Sequence, residues 1–266
     1  MSRTAVGQFH GDFVAWNGGC LLVGEGRGSI APHAHYSIQI ALGYPTGLQV
    51  QSGRGAWTPC AAAIIPSRLR HSINTNDCRW GGVLFVEPET PEGRALTARL
   101  NGAVELLSAQ SAAALTSRLE KVWRIEHDRQ KVESVCREFV GQLTNTVARY
   151  PSDARVLAAI DYIRQRIDTP ITLPGVAKVV HLSPGRFRHL FVEETGMPLR
   201  TYVLWRRLLK VWSLLMQGQN LSEAAHAVGF ADSAHLSRTS RAMFGTTPSA
   251  LQMSGPLSQL ERRLPY

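Results

Sequence analysis

The first third of the chain shows short apolar runs that are separated by turn residues. Segments such as Ser37–Leu42 and Ala61–Ile65 lie between glycines that recur throughout residues 9–86. Apolar runs of this length, bounded by glycine, are typical of β-strands rather than of helices. Several such strands in about 80 residues predict a small β-barrel or sandwich in this region.

The pattern changes after the proline-containing segment Glu87–Pro91. Apolar residues then recur near a 3.6-residue period, which predicts helices over residues 92–149. We call the apolar residues of this face the linker stripe: Leu115, Leu119, Val122, Trp123, Val132, Val135, Phe139 and Leu143. Two interpretations of this face are open, a homodimer interface within residues 112–147 or packing on the chain's own barrel. Tyr150-Pro151-Ser152 predicts a domain boundary, because proline ends helices.

Residues 172–196 carry the local signals of two short helices joined by a tight turn. Thr172 is placed to cap a helix over 173–180, and Ser183 followed by Pro184 is a favourable start for a second helix. Phe187 and its apolar neighbours face inward, and Gly196 is placed to end the helix in a left-handed conformation. Arg186, Arg188 and His189 face outward near the start of the second helix. The pattern predicts a helix-turn-helix unit.

The same arrangement returns 49 residues later, where Asp232 takes the place of Ser183 and Gly245 that of Gly196. Asn220-x-x-Glu223 resembles a capping box for the first helix of this second unit. The outward positions of its second helix include Ser233, His235 and Arg238. A pattern that occurs twice is stronger evidence than either half alone.

A long amphipathic segment, Pro198 to Gln217, lies between the two units. A helix of this length spans about 30 Å, close to one turn of B-DNA at about 34 Å. The spacer is therefore suited to hold two recognition helices in successive major grooves. We predict that these helices contact DNA through Ser183, Arg186, Arg188, His189, Ser233, His235 and Arg238.

Charge and composition are compatible with this hypothesis. The formal net charge is +9, of which residues 150–266 contribute +6. Positive charge favours binding to phosphates, although it also serves solubility. The four cysteines show no paired spacing that would indicate a zinc knuckle or a redox pair. The N-terminus lacks an apolar signal segment, and no apolar run is long enough to span a bilayer.

The C-terminal motifs resemble those of the AraC/XylS family of transcription regulators. The resemblance covers roughly residues 153–252 and includes Ala225-x3-Gly229-Phe230-Ala231-Asp232-Ser233-x-His235-Leu236-Ser237-Arg238, followed by Gly245-x2-Pro248-Ser249. It implies sequence-specific binding to double-stranded promoter DNA, a homodimer, contact with RNA polymerase, and a variable N-terminal domain that senses a signal. We expect a regulator of the bacterial cytoplasm and nucleoid, without membrane contact.

Histidines are the candidate chemistry of the N-terminal region. His33-x-His35 precedes Gln39, and His71 follows the run at Ala61–Ile65. This region resembles the cupin fold, which implies that His33, His35 and His71 converge inside the barrel, with Gln39 in the place of the usual carboxylate. Two histidines at this spacing on one strand point to the same face. A divalent metal such as zinc, nickel or iron, an organic ligand, and an empty structural barrel all remain open.

These observations predict an α+β protein with four parts. They are a cupin-like β-barrel over 1–90, a helical linker and dimerisation segment over 91–150, an all-α DNA-binding domain over 151–255, and a tail over 256–266. An iron oxygenase needs two histidines and a carboxylate, and Gln39 is neutral. We therefore expect a regulator and not an enzyme. An interaction module without DNA contact is the remaining alternative, and salt-dependent DNA binding distinguishes the two.

Overall fold

A computed structural model describes residues 9–26, 28–144 and 153–261, with an N-terminal part rich in strands and a helical C-terminal part. The predicted boundary at residues 150–152 lies outside the described residues. The strands of the N-terminal part are β1 (Phe9–Trp16), β2 (Gly19–Glu25), β3 (Ser29–His33), β4 (Ile38–Tyr44), β5 (Leu48–Ser52), β6 (Thr58–Cys60), β7 (Ala62–Ile65), β8 (His71–Asn74) and β9 (Trp80–Val86).

The strands form two open sheets rather than the predicted closed barrel. Two further strands, β10 (Glu105–Leu107) and β11 (Leu251–Met253), complete the larger sheet. It has seven strands in the order β10-β7-β4-β9-β2-β1-β11, and the smaller sheet has four in the order β3-β8-β5-β6. In the described residues no ladder joins one sheet to the other. The edges of the larger sheet are covered instead by β10 (Glu105–Leu107) and β11 (Leu251–Met253), which come from outside the predicted barrel.

Strand β4 shows how alternation along a strand divides the two faces of the larger sheet. Ile38, Ile40 and Leu42 belong to the core that the sheet shares with the helices, whereas Ala41 belongs to a smaller core between the two sheets. Because successive side chains of a strand point to opposite faces, Gln39 lies on the same side as Ala41. The strand therefore directs one polar side chain into the space between the sheets.

Helices from residues 91–144 cover the other face of the larger sheet. They are α1 (Pro91–Leu100), α2 (Ala109–Glu120), a π-helical turn at Lys121–Ile125, and α3 (Arg129–Thr144). The linker stripe is buried in the chain's own core, with Leu143 packed partly buried against it. The interpretation of this stripe as a dimer interface is therefore wrong, because the sheet already covers these side chains.

The C-terminal part contains α4 (Ala154–Gln165), α5 (Leu173–Val179), α6 (Pro184–Thr195), α7 (Leu199–Met216), α8 (Leu221–Ala227), α9 (Ser233–Phe244), a 3-10 turn at Pro248–Ala250, and α10 (Pro256–Glu261). The chain then returns to the N-terminal part, since β11 pairs in parallel with β1. Residues 256–261 of the expected tail thus form a helix. The buried carboxylate of Asp12 accepts hydrogen bonds from the backbone N–H groups of Leu257 and Ser258 at its start.

The hydrophobic cores do not follow the predicted division of the chain. The first helix-turn-helix unit has a core of its own, which includes Val156, Ile160, Phe187, Phe191 and Tyr202. The second unit shares one continuous core with the larger sheet and its helices, through residues such as Trp205, Trp212, Leu236 and Phe244. The second unit and the N-terminal sheet are therefore packed as one body.

Candidate DNA-binding surface and histidine cluster

The first helix-turn-helix unit consists of α5 and α6, and its caps are those that the sequence predicts. Oγ1 of Thr172 accepts a hydrogen bond from the backbone N–H of Gly175 at 3.1 Å. Oγ of Ser183 accepts one from the N–H of Arg186 at 3.3 Å, and Pro184 occupies the first turn of α6. Gly196 ends α6 with a φ of 72°, a conformation that glycine adopts without strain.

The second unit, α8 and α9, repeats this local design. Asn220 and Glu223 form a complete capping box at the start of α8. Asp232 caps α9 by accepting from the N–H of His235, and that hydrogen bond lowers the pKa of Asp232. Gly245 ends α9 with a φ of 70°. A carboxylate at a helix N-terminus is favourable because the helix dipole is positive there.

The side chains predicted to contact DNA lie on the N-terminal halves of α6 and α9. Ser183, Arg186, Arg188 and His189 are exposed on the first unit. On the second unit Ser233 and Arg238 are exposed. His235 is half-buried, with its ring 5.2 Å from that of Phe230 in an edge-on arrangement. The spacer α7 has 18 residues, so it spans about 27 Å.

One arginine of the spacer joins the second unit to the segment between α4 and α5, a role that the sequence does not predict. Nη1 of Arg207 donates to the carbonyl oxygen of Gly229, in the turn of the second unit, at 2.8 Å. Its other nitrogens donate to the carbonyl oxygens of Ile167 and Thr169, which follow α4, at 3.2 and 3.1 Å. A guanidinium group that binds three carbonyls on these two segments restricts their relative orientation.

The structure brings the three predicted histidines together between the two sheets. His33 at the end of β3 pairs directly with His71 at the start of β8. The prediction that His33 and His35 share a strand is wrong, because β3 ends at His33 and the chain then bends towards the other sheet. The nearest ring nitrogens of all three histidines nevertheless lie within 4.8 Å of one another, and all three are buried.

Backbone carbonyls orient the three rings. Nδ1 of His33 lies 2.9 Å from the oxygen of Ala31, Nδ1 of His35 lies 2.8 Å from that of Ser37, and Nδ1 of His71 lies 2.9 Å from that of Leu69. A carbonyl oxygen only accepts, so a ring that bonds to one of these carbonyls donates from its Nδ1. Each ring is oriented by a backbone carbonyl two residues away in the chain. The spacing of the histidines in the sequence does not predict these contacts.

Gln39 completes the cluster from the larger sheet. Its Oε1 lies 2.6 Å from Nε2 of His35 and 3.2 Å from Nε2 of His71. Burial, and then the neighbouring imidazoles, lower the pKa of His33 to about 3. Burial and His71 lower the pKa of His35 to about 4, and burial lowers that of His71. The cluster is therefore neutral at physiological pH and presents nitrogen lone pairs.

Aromatic contacts connect the cluster to the second unit. The ring of His35 lies 5.0 Å from that of Phe85, edge-on. Phe85 in turn lies 5.3 Å from Phe244, the last residue of α9, and 5.5 Å from Trp205 of the spacer. Non-local contacts of this kind have no sequence signal.

Buried ion pairs hold the spacer and the first unit to the N-terminal part. Glu87 is 1 % exposed in its side chain and pairs with Arg164 of α4 at 2.9 Å and with Arg206 of α7. Beside it, burial and then the charge of Glu87 raise the pKa of Glu89 to about 8. Arg94 of α1 also pairs with Glu194 of α6 at 2.9 Å. The sequence analysis missed these residues, because each pair joins elements that are distant in the chain.

Comparison with known families supports the assignment of the C-terminal part. A family described as a helix-turn-helix domain matches residues 176–254. The HTH-type transcriptional regulator YijO of Escherichia coli strain K12 is 34 % identical over 118 residues, which cover 44 % of this chain and 41 % of that protein. The arabinose operon regulatory protein of the same strain is 31 % identical over 101 residues, 37 % of this chain and 35 % of that protein. The match thus spans about two fifths of these relatives, both named as regulators rather than enzymes.

Solved structures share the fold over most of the chain. Apo ToxT K231A from Vibrio cholerae strain SCE256 superimposes with a TM-score of 0.56 at 11 % identity, covering 89 % of this chain and 97 % of that one. Wild-type ToxT with a bound unsaturated fatty acid gives 0.54 at 12 % identity, covering 94 % and 96 %. The chain therefore shares with these solved structures the arrangement of a sheet-rich N-terminal part and a helical C-terminal part.

Across the described residues, none of the helices combines the length and the apolar character needed to cross a membrane.

Proposed function

We propose that this chain, whose C-terminal domain belongs to the AraC/XylS family of transcription regulators, binds promoter DNA sequence-specifically and is controlled by a small ligand or metal in its N-terminal part. In this proposal residues 1–90 sense the signal, residues 91–150 support the sensor, and residues 151–255 bind DNA. The observation that carries it is the pair of recognition helices, α6 and α9, which present exposed basic residues on either side of one spacer.

The exposed residues have the chemistry that base recognition requires. An arginine can donate two hydrogen bonds to O6 and N7 of a guanine in the major groove, and such a pair contributes about 1–3 kcal/mol of discrimination. Arg188 and Arg238 are each exposed on a recognition helix. The N-termini of α6 and α9 are also suited to phosphate oxygens, because the helix dipole is positive there. We assign the first groove to Arg186, Arg188 and His189, and the second to Ser233, His235 and Arg238.

The test begins with selection of bound sites from a random DNA pool by the full chain. Gel shifts and footprints on a selected site then compare the parent with Arg188→Ala and Arg238→Ala. We expect each variant to lose about 1–3 kcal/mol of binding free energy and to relax base preference in its own groove. Arg54→Ala, an exposed arginine of the N-terminal part, serves as the control for charge. Unchanged affinity and footprint in both recognition-helix variants would contradict the proposal.

The proposal extends to a homodimer on paired half-sites and to contact with RNA polymerase. Joining two DNA-binding domains raises their affinity for paired sites through effective concentration. Since the linker stripe is buried within the chain, the dimer surface has to lie elsewhere. Sedimentation at micromolar concentration, with and without DNA, measures the assembly. A species of 29.2 kDa alone in the free protein and a single chain per DNA site would exclude the dimer.

A further inference from the structure

We propose that Asp12 is a positioning residue for the second recognition helix, which it holds in place by anchoring residues 251–261 to the N-terminal sheet. We call residues 251–261, which comprise β11 and α10, the strap. The anchor stands on the contacts of the strap, whereas its effect on DNA recognition rests on the proposed function. The effect is that the strap sets the distance between the two grooves that one chain contacts.

The first half of the strap is attached to the edge of the larger sheet. β11 pairs in parallel with β1, so that its three residues lie opposite residues 9–11. The N–H of Gly255 then donates to the carbonyl oxygen of Gly11 at 3.0 Å. Leu251 and Met253 are buried in the core that the larger sheet shares with the second unit. Backbone pairing and apolar packing therefore hold the same segment.

Asp12 of β1 is the polar centre of this attachment, and its side chain is fully buried. Its Oδ2 accepts from Nε1 of Trp123 at 2.7 Å and from the N–H of Leu257 at 3.1 Å. Its Oδ1 accepts from the N–H of Ser258 at 2.8 Å and from the hydroxyl of the same residue. Displacement of the strap would leave buried donors and acceptors unpaired, which is costly. The carboxylate therefore fixes the strap in one geometry.

The same part of β1 also holds the end of the spacer. The N–H of Phe13 donates to Sδ of Met216, the last residue of α7, at 3.3 Å. The hydroxyl of Ser258 lies 3.0 Å from the same sulfur. In the chain, α8 and α9 lie between Met216 and the strap. Both ends of the second unit are thus tied to neighbouring residues of one strand.

The connection between α9 and the strap is short and has a bond of its own to the helix. The cap Gly245 follows α9, and β11 begins at Leu251, with a 3-10 turn at Pro248–Ala250 between them. Oγ of Ser240, inside α9, donates to the carbonyl oxygen of Thr246 at 2.9 Å. Movement of the strap is therefore passed on to α9 rather than absorbed by a long loop.

The consequence for recognition is selectivity for spacing. α6 is held to the N-terminal part by the ion pair of Arg94 with Glu194, and α9 is held by the strap. Successive grooves on one face of B-DNA lie about 34 Å apart, and each base pair inserted between them adds about 3.4 Å. A chain with both helices fixed should discriminate between spacings, whereas a chain with α9 released should tolerate several.

Two variants attack the anchor from its two sides. Asp12→Asn preserves the shape, but its amide N–H groups face two of the four donors. A Cβ at Gly255 would lie 2.2 Å from Oδ2 of Asp12, so Gly255→Ala displaces the strap and keeps the test decisive if Asp12→Asn does not fold. Gln252 is exposed on β11, and Gln252→Ala is the matched control within the strap.

Hydrogen exchange of the free full-length protein tests the anchor without DNA. Segments that lose their tertiary contacts open more readily and exchange faster. We expect both anchor variants to exchange faster than the parent in β11, α8 and α9, with α4, α5 and α6 unchanged. Gln252→Ala should match the parent throughout. Unchanged exchange in α8 and α9 of the anchor variants would overturn the positioning role.

Gel shifts on the selected site, and on derivatives with one or two base pairs inserted between its grooves, test the selectivity for spacing. The parent should bind the derivatives roughly 5–150-fold more weakly, the factor for loss of one base contact. This ratio should be smaller in both anchor variants, whereas a general loss of stability would weaken binding to every spacing equally. An unchanged ratio would overturn the role in spacing. Absence of DNA binding by the parent would refute the proposed function, and hydrogen exchange would still decide the anchor.

Discussion

Glu89 shows how strongly a single buried group can depend on its neighbours. It is 4 % exposed, and neither of its carboxyl oxygens has a hydrogen-bond partner from another described residue. Glu87 forms ion pairs with both nearby arginines, Arg164 and Arg206. Without a partner of its own, Glu89 retains its proton, and burial raises its pKa from 4.5 to about 8.

Replacement of this acid by its neutral amide gives the first prediction. The folded protein holds the Glu89 proton up to about pH 8, whereas the unfolded chain releases it near pH 4.5. The stability that Glu89 contributes is therefore full below pH 4.5 and is lost as the pH rises towards 8. Glu89→Gln has no proton to lose. As the pH rises from 5.5 to 8.5, the free energy of unfolding of the variant should therefore increase relative to that of the parent, by on the order of a few kcal/mol.

Urea unfolding of the parent and of Glu89→Gln at pH 5.5 and at pH 8.5 measures this change in stability. The buried histidines act in the opposite sense, because their lowered pKa values destabilise the fold as the pH falls below 6.5. They are present in both proteins, so their effect cancels when the two are compared. Glu92→Gln, an exposed glutamate of α1, should show no such trend. A constant difference between parent and Glu89→Gln across this range would contradict the assignment of the proton to Glu89.

At the scale of elements, the helix-turn-helix units were predictable because their signals are local. The capping side chains, the proline at the start of α6 and the closing glycines each act within one turn of the chain, and the structure places them as predicted. The observed α5 ends one residue before the predicted end, and the observed α7 is one residue shorter than predicted at each end. The arrangement of the sheets was not predictable, because it depends on which strands pair. The sequence predicts His35 in the cluster, as observed, but on the same strand as His33. That second prediction is wrong because strand ends depend on which strands pair, and β3 ends at His33.

Arg207 carries the prediction that belongs to the scale of elements. Its three hydrogen bonds to backbone carbonyls tie the segment after α4 to the turn of the second unit. Arg207→Ala removes this tie, so the two recognition helices should hold their spacing less well. Hydrogen bonds from charged donors contribute about 1.5–3 kcal/mol, and we expect at least about tenfold weaker binding to a full site.

The design of the DNA distinguishes loss of spacing from loss of charge. A truncated site that offers one groove should bind Arg207→Ala as well as it binds the parent. Lys210→Ala removes an exposed positive charge from the same helix and should leave the preference for the full site unchanged. Equal losses on full and truncated sites would show that Arg207 acts on phosphates and not on the spacing.

On the scale of the whole molecule, the cores divide the chain between the two helix-turn-helix units rather than at the predicted boundary. The first unit keeps its own core and is held to the N-terminal part by the ion pairs of Glu87 and Glu194. The second unit shares its core with the larger sheet. Parts joined by polar contacts move more readily than parts joined by a large apolar interface. A displacement of the larger sheet is therefore expected to reach α9 through the shared core, and α6 only through the spacer and the ion pairs.

This division predicts two groups of amide protons in hydrogen exchange, since regions that share a core open together. Phe191 lies in the core of the first unit and Phe244 in the shared core. Leucine in place of either phenylalanine should cost about 0.5–3 kcal/mol. Phe191→Leu should speed exchange in α4, α5 and α6 while the sheet and α9 keep the protection of the parent.

Phe244→Leu is the matched variant, and its effect should cross the predicted domain boundary. The ring of Phe244 contacts Phe85 of β9 as well as Trp205 and Trp212 of the spacer. Its replacement should therefore speed exchange in α8 and α9 together with β2 and β9, and less in α5 and α6. If Phe244→Leu acted on the helices alone, the second unit would be an independent body. If Phe191→Leu loosened the sheet to the same extent as α6, the first unit would not be separate. Either result would remove the structural reason for expecting α6 and α9 to respond differently to a change in the N-terminal sheet.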